Sequence, residues 1–216
     1  MAKNQKKLPT CKDCASRLNS CFSILSEKDI EQLDGAKESS FYPKGQIIFH
    51  SGRSPTGVYC LLDGKVKMAK QGQDGKEQIV RFVLPGRLLG IRALLGECAY
   101  TATAVTLEDS YICYIPSDTF NYLQRKYPTI TSCMITTLSQ LLCEAEDKMT
   151  SIAQKSVRER LAETLLELQS VFAYGERMKE DSHPIALTRE DLANIVGTAT
   201  ETVIRLIADF REEGWI

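Results

Sequence analysis

Eight cysteines in 216 residues set the chemical possibilities of this chain. Cys11, Cys14 and Cys21 form a Cys-x2-Cys-x6-Cys run near the N-terminus, and Cys113 lies within Tyr111-Ile112-Cys113-Tyr114-Ile115-Pro116. A chain this long builds a core without covalent staples, and a reducing compartment keeps thiols apart, so the cysteines do not read as a disulfide framework. Metal ligation is one use for such a run, and several alternatives stay open. A structural zinc normally draws on two Cys-x2-Cys knuckles, of which one is present. A thioredoxin-like pair needs its Cys-x2-Cys between a strand and a helix, and nothing strand-like precedes Cys11. Unligated core thiols are the third reading, because Cys21-Phe22-Ser23-Ile24-Leu25 is largely apolar. Cys60 reads as filler in a strand, Cys133 and Cys143 as helical residues off the apolar seam, and Cys98 as a loop thiol that could substitute for Cys113. His50 and His183 are isolated from each other and from acidic pairs, which leaves hydrolytic triads and histidine metal sites without support. The chain does not read as an enzyme.

A second constellation points to nucleic acid. Thr188-Arg-Glu-Asp-Leu-Ala-Asn-Ile-Val-Gly197 has a threonine cap, acids in its first turn and a terminal glycine suited to a left-handed conformation. A second short helix follows over Thr198 to Phe210, with Val203, Leu206, Ile207 and Phe210 available for a core. Two short helices across a glycine turn make a helix-turn-helix, whose second helix enters the DNA major groove. On its exposed first turns Glu201 can accept from cytosine N4, and Arg205 can donate to guanine O6 and N7. Both also have a structural reading, Thr198 with Glu201 as a capping box and Glu201 with Arg205 as an i, i+4 pair.

The elements that must position these residues follow from glycine punctuation and apolar periodicity. A helix capped by Ser26 runs to about Leu33. From Gly45 to Pro116, short β-branched or aromatic segments are broken at Gly52, Gly64, Gly75, Gly86 and Gly90. Strands are predicted over Gln46 to His50, Val58 to Leu62, Lys65 to Ala69, Gln78 to Leu84, Thr101 to Thr106 and Ser110 to Ile115. That spacing suggests a small antiparallel barrel or jelly-roll. A short helix over Thr119 to Lys126 stops at Pro128. A long one then runs from about Thr129 to Ala153, roughly 38 Å at 1.5 Å per residue. Met134, Leu138, Leu141, Ala145 and Ile152 fall on a heptad seam in it, with Lys148 at the remaining position. The seam either packs on the chain's own β-domain or dimerises, and its length favours a homodimer. A further helix covers Ser156 to Phe172, followed by a polar loop around Gly175 and Pro184.

Hydrophobic residues at 43% and charged residues at 25% describe a folding chain. No window approaches 18 consecutive apolar residues and no apolar run follows the first lysines, which predicts a cytoplasmic protein with no membrane partner. Residues 155 to 216 carry eight basic against twelve acidic side chains, so DNA binding there would proceed without a strong basic footprint.

Leu187 to Gly197 followed by Thr200-Glu-Thr-Val-Ile-Arg205 closely resembles the helix-turn-helix of the Crp/Fnr family of bacterial transcription regulators, and the resemblance covers nearly the whole chain. It implies an α+β fold: an antiparallel β-roll of the jelly-roll, cyclic-nucleotide-binding type, a long dimerisation helix and a C-terminal winged helix-turn-helix. The implied organisation is a cysteine-rich segment at 1–22, a sensor roll at 23–118, a dimerisation region at 119–154 and a DNA-binding domain at 155–216. The family's pattern continues into a β-hairpin wing, whereas this sequence stops at Gly214-Trp215-Ile216, so that either the sequence is truncated there or the wing is lost. The resemblance places Thr200, Glu201, Ile204 and Arg205 against the bases of palindromic double-stranded DNA with TGA-containing half-sites. It places Met134, Leu138, Leu141, Ala145 and Ile152 at the dimer interface, and makes RNA polymerase the expected protein partner. Members that bind cyclic AMP carry a Gly-Glu pair and an Arg-Ser or Arg-Thr pair. Here Ile91 follows Gly90 and Tyr100 precedes Thr101, so cyclic AMP is not expected. Cys11, Cys14, Cys21 and Cys113 resemble the ligand set of the Fnr branch, three N-terminal cysteines and one in a similar Cys-x-Ile-Pro context holding a [4Fe-4S] cluster that senses oxygen. Lys12 and Arg17 would favour thiolate charge there. The Cys14 to Cys21 interval is one residue longer than in the best-known member.

Overall fold

A computed structural model describes residues 8–72, 74–173 and 185–216. The first seven residues, the polar loop around Gly175 and Pro184, and His183 lie outside them. The chain divides into two compact units, residues 1–67 with 83–139, and residues 68–82 with 140–216. The division runs through the long helix and sets a β-hairpin apart from the rest of the roll.

The first unit opens with a single turn of helix, α1 (Ala15–Leu18), then α2 (Glu27–Ala36). Ser26 caps α2 as its type predicts, accepting from the Asp29 backbone at 3.3 Å, and Ile30 and Leu33 turn inward. Strands follow as β1 (Glu38–Tyr42), β2 (Ile47–Phe49), β3 (Gly57–Asp63), β4 (Val66–Gln71), β5 (Glu77–Val83) and β6 (Leu88–Leu89). After α3 (Ile91–Leu95) come β7 (Thr103–Thr106) and β8 (Ser110–Pro116). They form two four-stranded sheets, in the orders β1-β8-β3-β6 and β2-β7-β4-β5. The expected jelly-roll character is present. Sequence reasoning started the strands at Gln46 and so missed β1, whose residues are mostly exposed and whose place is set by pairing with β8.

Register in the first sheet matters for the chemistry. β8 pairs antiparallel on both sides, so Ser39 of β1 and Cys60 of β3 both stand opposite Cys113. Paired residues carry their side chains to the same face of a sheet, about 5 Å apart. Cys60 and Cys113 are therefore neighbours although 53 positions separate them. Gly86 matters to the packing above them, since a Cβ there would lie 2.8 Å from the Ser16 carbonyl oxygen, a clash that would push α1 away. Its φ of +85° also suits glycine.

Pro116 precedes α4 (Ser117–Lys126), and α5 (Pro128–Gln154) follows. Asp29 is fully buried between α2 and α4, where Lys126 Nζ at 2.7 Å and Tyr127 Oη at 2.5 Å donate to its carboxylate, as does the Ser26 hydroxyl. A buried carboxylate is tolerated when it is paired and hydrogen-bonded in this way. The early turns of α5 place Ile130 and Met134 in the same apolar cluster as Cys11, Phe22, Leu25 and Leu33, with Leu138 packed against it.

That packing corrects the expected seam. Met134 is 1% exposed and belongs to the core of its own unit, so it cannot face a second copy. Ile135, Leu142 and Met149 are 59%, 60% and 63% exposed at heptad spacing. Leu138, Ala145 and Ile152 follow three residues after each, and Ala145 and Ile152 are exposed. The apolar stripe left open on α5 thus keeps Leu138, Ala145 and Ile152 of the expected seam and has Ile135, Leu142 and Met149 where Met134, Leu141 and Lys148 were expected.

The second unit packs α6 (Val157–Ala173), α7 (Arg189–Val196) and α8 (Thr200–Glu212) around Leu161, Leu168, Leu192, Val196, Val203 and Phe210. Ala69 and Ile79 of the β4–β5 hairpin join this cluster.

Candidate functional site

The helix-turn-helix is built by its caps. Thr188 and Asp191 close a reciprocal capping box at the start of α7, satisfying two otherwise unpaired donors. Gly197 at φ +74° ends α7 in the left-handed region, and the amides of Gly197 and Thr198 both return to the Ala193 carbonyl. Two side chains reach the last carbonyls of α7: Gln78 Nε2 donates to Ile195 at 3.3 Å and Arg160 Nε to Val196 at 3.1 Å.

α8 starts at Thr200 with Ala199 as its cap, one residue later than expected. The Thr198–Glu201 capping box is therefore not formed. Val203, Leu206, Ile207 and Phe210 are buried, each worth about 1.5–3 kcal/mol of apolar transfer, which fixes the rotation of the helix. The opposite face then carries Glu201, Ile204 and Arg205 outward, with Thr200 half-buried beside them. Among the described residues Glu201 and Arg205 form no ion pair with each other. Ile204 is 52% exposed between Glu201 and Arg205. This surface can donate, accept and make an apolar contact within two helical turns.

The thiols gather in the first unit. Cys11, Cys14, Cys60 and Cys113 line one cavity of about 30 Å³ together with Arg17, Leu33, Lys37 and Leu62. Cys14 occupies the position before α1 without a side-chain capping bond, and Ser16 in α1 donates to the Leu62 carbonyl at 2.6 Å, holding the cysteine-bearing segment against β3. The Cys11 amide donates to Asp34 Oδ1 at 2.7 Å. Arg17 clamps the segment on itself, donating to the carbonyls of Cys11 at 2.7 Å and Phe22 at 3.2 Å. Cys113 and the Ser39 hydroxyl are 3.3 Å apart.

Burial raises these thiols. Cys11 is pushed up to about 11 against the opposing influence of Lys37, and Cys60 and Cys113 are pushed up for the same reason. Lys37 sits only 9% exposed by side chain, 2.8 Å from Asp34. Burial alone would lower it, but the Asp34 hydrogen bond and the nearby Cys11 and Cys113 sulfurs hold it above the ordinary lysine value. It is a resident buried cation facing a set of thiols.

Of the expected ligands, the structure brings Cys11, Cys14 and Cys113 to one cavity and does not bring Cys21. Cys21 is bonded to Cys133 of α5, with Cα atoms 6.0 Å apart. The fourth cysteine lining the cavity is Cys60, read from sequence as filler. Cys98, the substitute expected for Cys113, is exposed, as is Cys143. Lys12 pairs with Glu27 at the surface, so the cation at the cavity beside Arg17 is Lys37. Among the described residues no three Cys, His, Asp or Glu side chains converge closely enough to hold a metal ion as packed. The donor chemistry nevertheless suits an iron-sulfur group: thiol sulfurs from separate stretches, backed by a buried ammonium that offsets thiolate charge.

The inner roll near Gly90 is filled by rings. Tyr100 stacks on Phe49 with centroids 3.9 Å apart, and Phe49 and Tyr114 flank Tyr59 at 5.5 and 5.2 Å. Ile91 and Tyr100, at the positions where a cyclic-AMP binder would carry glutamate and arginine, are 2% and 6% exposed. Neither offers a charge to a ribose phosphate.

Comparison with known proteins places both units. Residues 40–127 match the family model of the cyclic nucleotide-binding domain, and residues 159–216 match the Crp-like helix-turn-helix domain. Regulatory protein HlyX of Actinobacillus pleuropneumoniae is 32% identical over 208 residues, 95% of this chain and 85% of that protein. The fumarate and nitrate reduction regulatory protein of Escherichia coli (strain K12) is 31% identical over 208 residues, 95% of this chain and 82% of its own length. Among solved structures, the c-di-GMP responsive global regulator CLP of Xanthomonas campestris superposes with a TM-score of 0.74 at 21% identity, covering 88% of this chain and 93% of that one. FixK2 of Bradyrhizobium japonicum gives 0.70 at 23%, covering 82% and 86%.

Proposed function

The chain belongs to the Crp/Fnr family of transcription regulators, and on that premise we propose that it is a homodimeric DNA-binding regulator sensing oxygen or redox state through a [4Fe-4S] cluster held by N-terminal cysteines together with Cys113. The observation that carries the sensing role is the convergence of Cys11, Cys14 and Cys113 on one cavity beside buried Lys37. These three would be ligands, with Cys21 the fourth once its sulfur is free. Bound there, the cluster supplies a centre that oxygen or nitric oxide degrades.

The chain's own residues then transmit the state. Phe22 and Leu25 of the cysteine-bearing segment share an apolar cluster with Ile130 and Met134. Any rearrangement of that segment therefore acts on the base of α5, next to Ile135 where the exposed stripe begins. Dimerisation along the stripe is a population shift between monomer and dimer, driven by whatever state packs the base of α5 best. Two copies of α8 would then read palindromic half-sites one DNA turn or roughly 34 Å apart. Arg205 donates to a guanine and Glu201 accepts from a cytosine, as a TGA-containing half-site provides, while Thr200 and Ile204 discriminate beside them. RNA polymerase is the proposed protein partner and the cytoplasm the proposed compartment.

The test is the composition of protein isolated without oxygen. It should be brown, contain iron and acid-labile sulfide, and lose its visible absorption in air; Cys113→Ser should abolish all three. Stoichiometric zinc, or full iron retention in Cys113→Ser, would overturn the reading.

A further inference from the structure

The cysteine-bearing segment presents its thiols in two directions. Cys11 and Cys14 line the cavity with Cys60 and Cys113, while Cys21 is bonded to Cys133. The link joins the turn after α1 to the second turn of α5, two residues before Ile135 opens the exposed stripe. Both half-cystines lie at the edge of the core, half-buried, where a small oxidant can reach them. Phe22 beside the first and Met134 beside the second are buried in one apolar cluster, so the covalent link ties together two pieces that already pack.

We propose that Cys21 and Cys133 form a reversible redox latch between the cysteine-bearing segment and the dimerisation helix, and that a closed latch withholds the Cys21 sulfur from the thiol cavity. Closure by exchange with a small dialkyl disulfide balances simply. One S–S bond forms between Cys21 and Cys133 and the bond of the small disulfide breaks. Its two sulfurs leave as thiols, carrying the two electrons and the two protons of the cysteines. Opening is the reverse. The latch itself stands on the Cys21–Cys133 pairing alone; the exclusion of a cluster rests on the function proposed above. A regulator so built has a second input, because thiol oxidation would hold the base of α5 in one packing and keep iron out.

The full chain, reduced and then equilibrated with hydroxyethyl disulfide, is digested without reductant and mapped by mass spectrometry, in parallel with Cys133→Ala. The Cys21 peptide should be found joined to the Cys133 peptide, and re-reduction should free both. Cys21 paired with Cys11 or Cys14, or found as a mixed disulfide, would overturn the latch. The oxidised and reduced parent are then supplied anaerobically with ferrous iron and sulfide and examined by native mass spectrometry. The oxidised form should bind at least tenfold less iron than the reduced form, with no species carrying both the bond and iron, and reduced Cys133→Ala should load as the reduced parent does. A species carrying both would overturn the exclusion while leaving a cluster site. If neither reduced protein binds iron, the cluster reading and the exclusion fall together, and the peptide map still decides the latch.

Discussion

Replacing Leu142 by alanine tests where the dimer seam runs. Leu142 is 60% exposed on α5. Burying a leucine side chain in full contributes about 1.5–3 kcal/mol, so covering the part still open is worth about 1–2 kcal/mol. A two-fold interface buries both copies, which brings the loss in Leu142→Ala to about 2–4 kcal/mol per dimer. At 1.4 kcal/mol per factor of ten, the dimer should dissociate roughly 30- to 700-fold more readily. Sedimentation velocity over a concentration series measures this directly. Leu141→Ala, on the half-buried neighbouring row, is the control and should move the constant much less. Met134→Ala should cost about 2–5 kcal/mol of fold stability through a core cavity, read as a lowered urea midpoint. If Leu141→Ala weakens the dimer and Leu142→Ala does not, the stripe argument is wrong and the seam lies on the earlier register.

Two further outcomes concern Arg205 and Asp29. Arg205→Ala should cost roughly 1–3 kcal/mol of binding to a TGA-containing palindrome and relax preference at one base pair per half-site, measured at fixed salt; an equal loss on every sequence would assign Arg205 to phosphate or fold. Asp29 is held well below the usual carboxylate range by the hydrogen bond from Lys126, then those from Ser26 and Tyr127. A depressed carboxylate contributes stability that is complete above the unfolded value of about 3.9 and is lost as pH falls through the folded one. Asp29→Asn should therefore flatten the fall in urea midpoint below pH 5, and parallel parent and variant curves would refute that role.

Much of this was legible because local chemistry decides it. Ser26 and Thr188 cap helices wherever they precede an apolar periodic run, glycines mark the roll's turns, and the apolar face of α8 repeats at helical spacing. What stayed hidden depends on pairing between distant residues. Nothing about Cys60 distinguishes it from filler until β3 is set in register with β8 and Cys113 stands opposite. Lys37 looks like any surface lysine until Asp34 and the thiols enclose it. The row of α5 through Ile135 is apolar at heptad spacing and the row through Met134 is so until Lys148, and it is the burial of Met134 in the cluster of Phe22 and Leu33 that turns the Ile135 row outward at the base of the helix. β1 was missed because Glu38, Ser39 and Ser40 give no apolar alternation, its place being set by backbone bonds to β8.

The central claim is that the state of the N-terminal thiols and Cys113 governs DNA binding, and a titration of one duplex tests it most directly. A labelled palindrome with TGA-containing half-sites about 34 Å apart is titrated by fluorescence anisotropy with protein isolated without oxygen, then with the same sample after exposure to air. The anaerobic parent should bind at least tenfold more tightly than the air-exposed sample, and Cys113→Ser should bind weakly in both. Equal affinity of the parent before and after air would contradict the account.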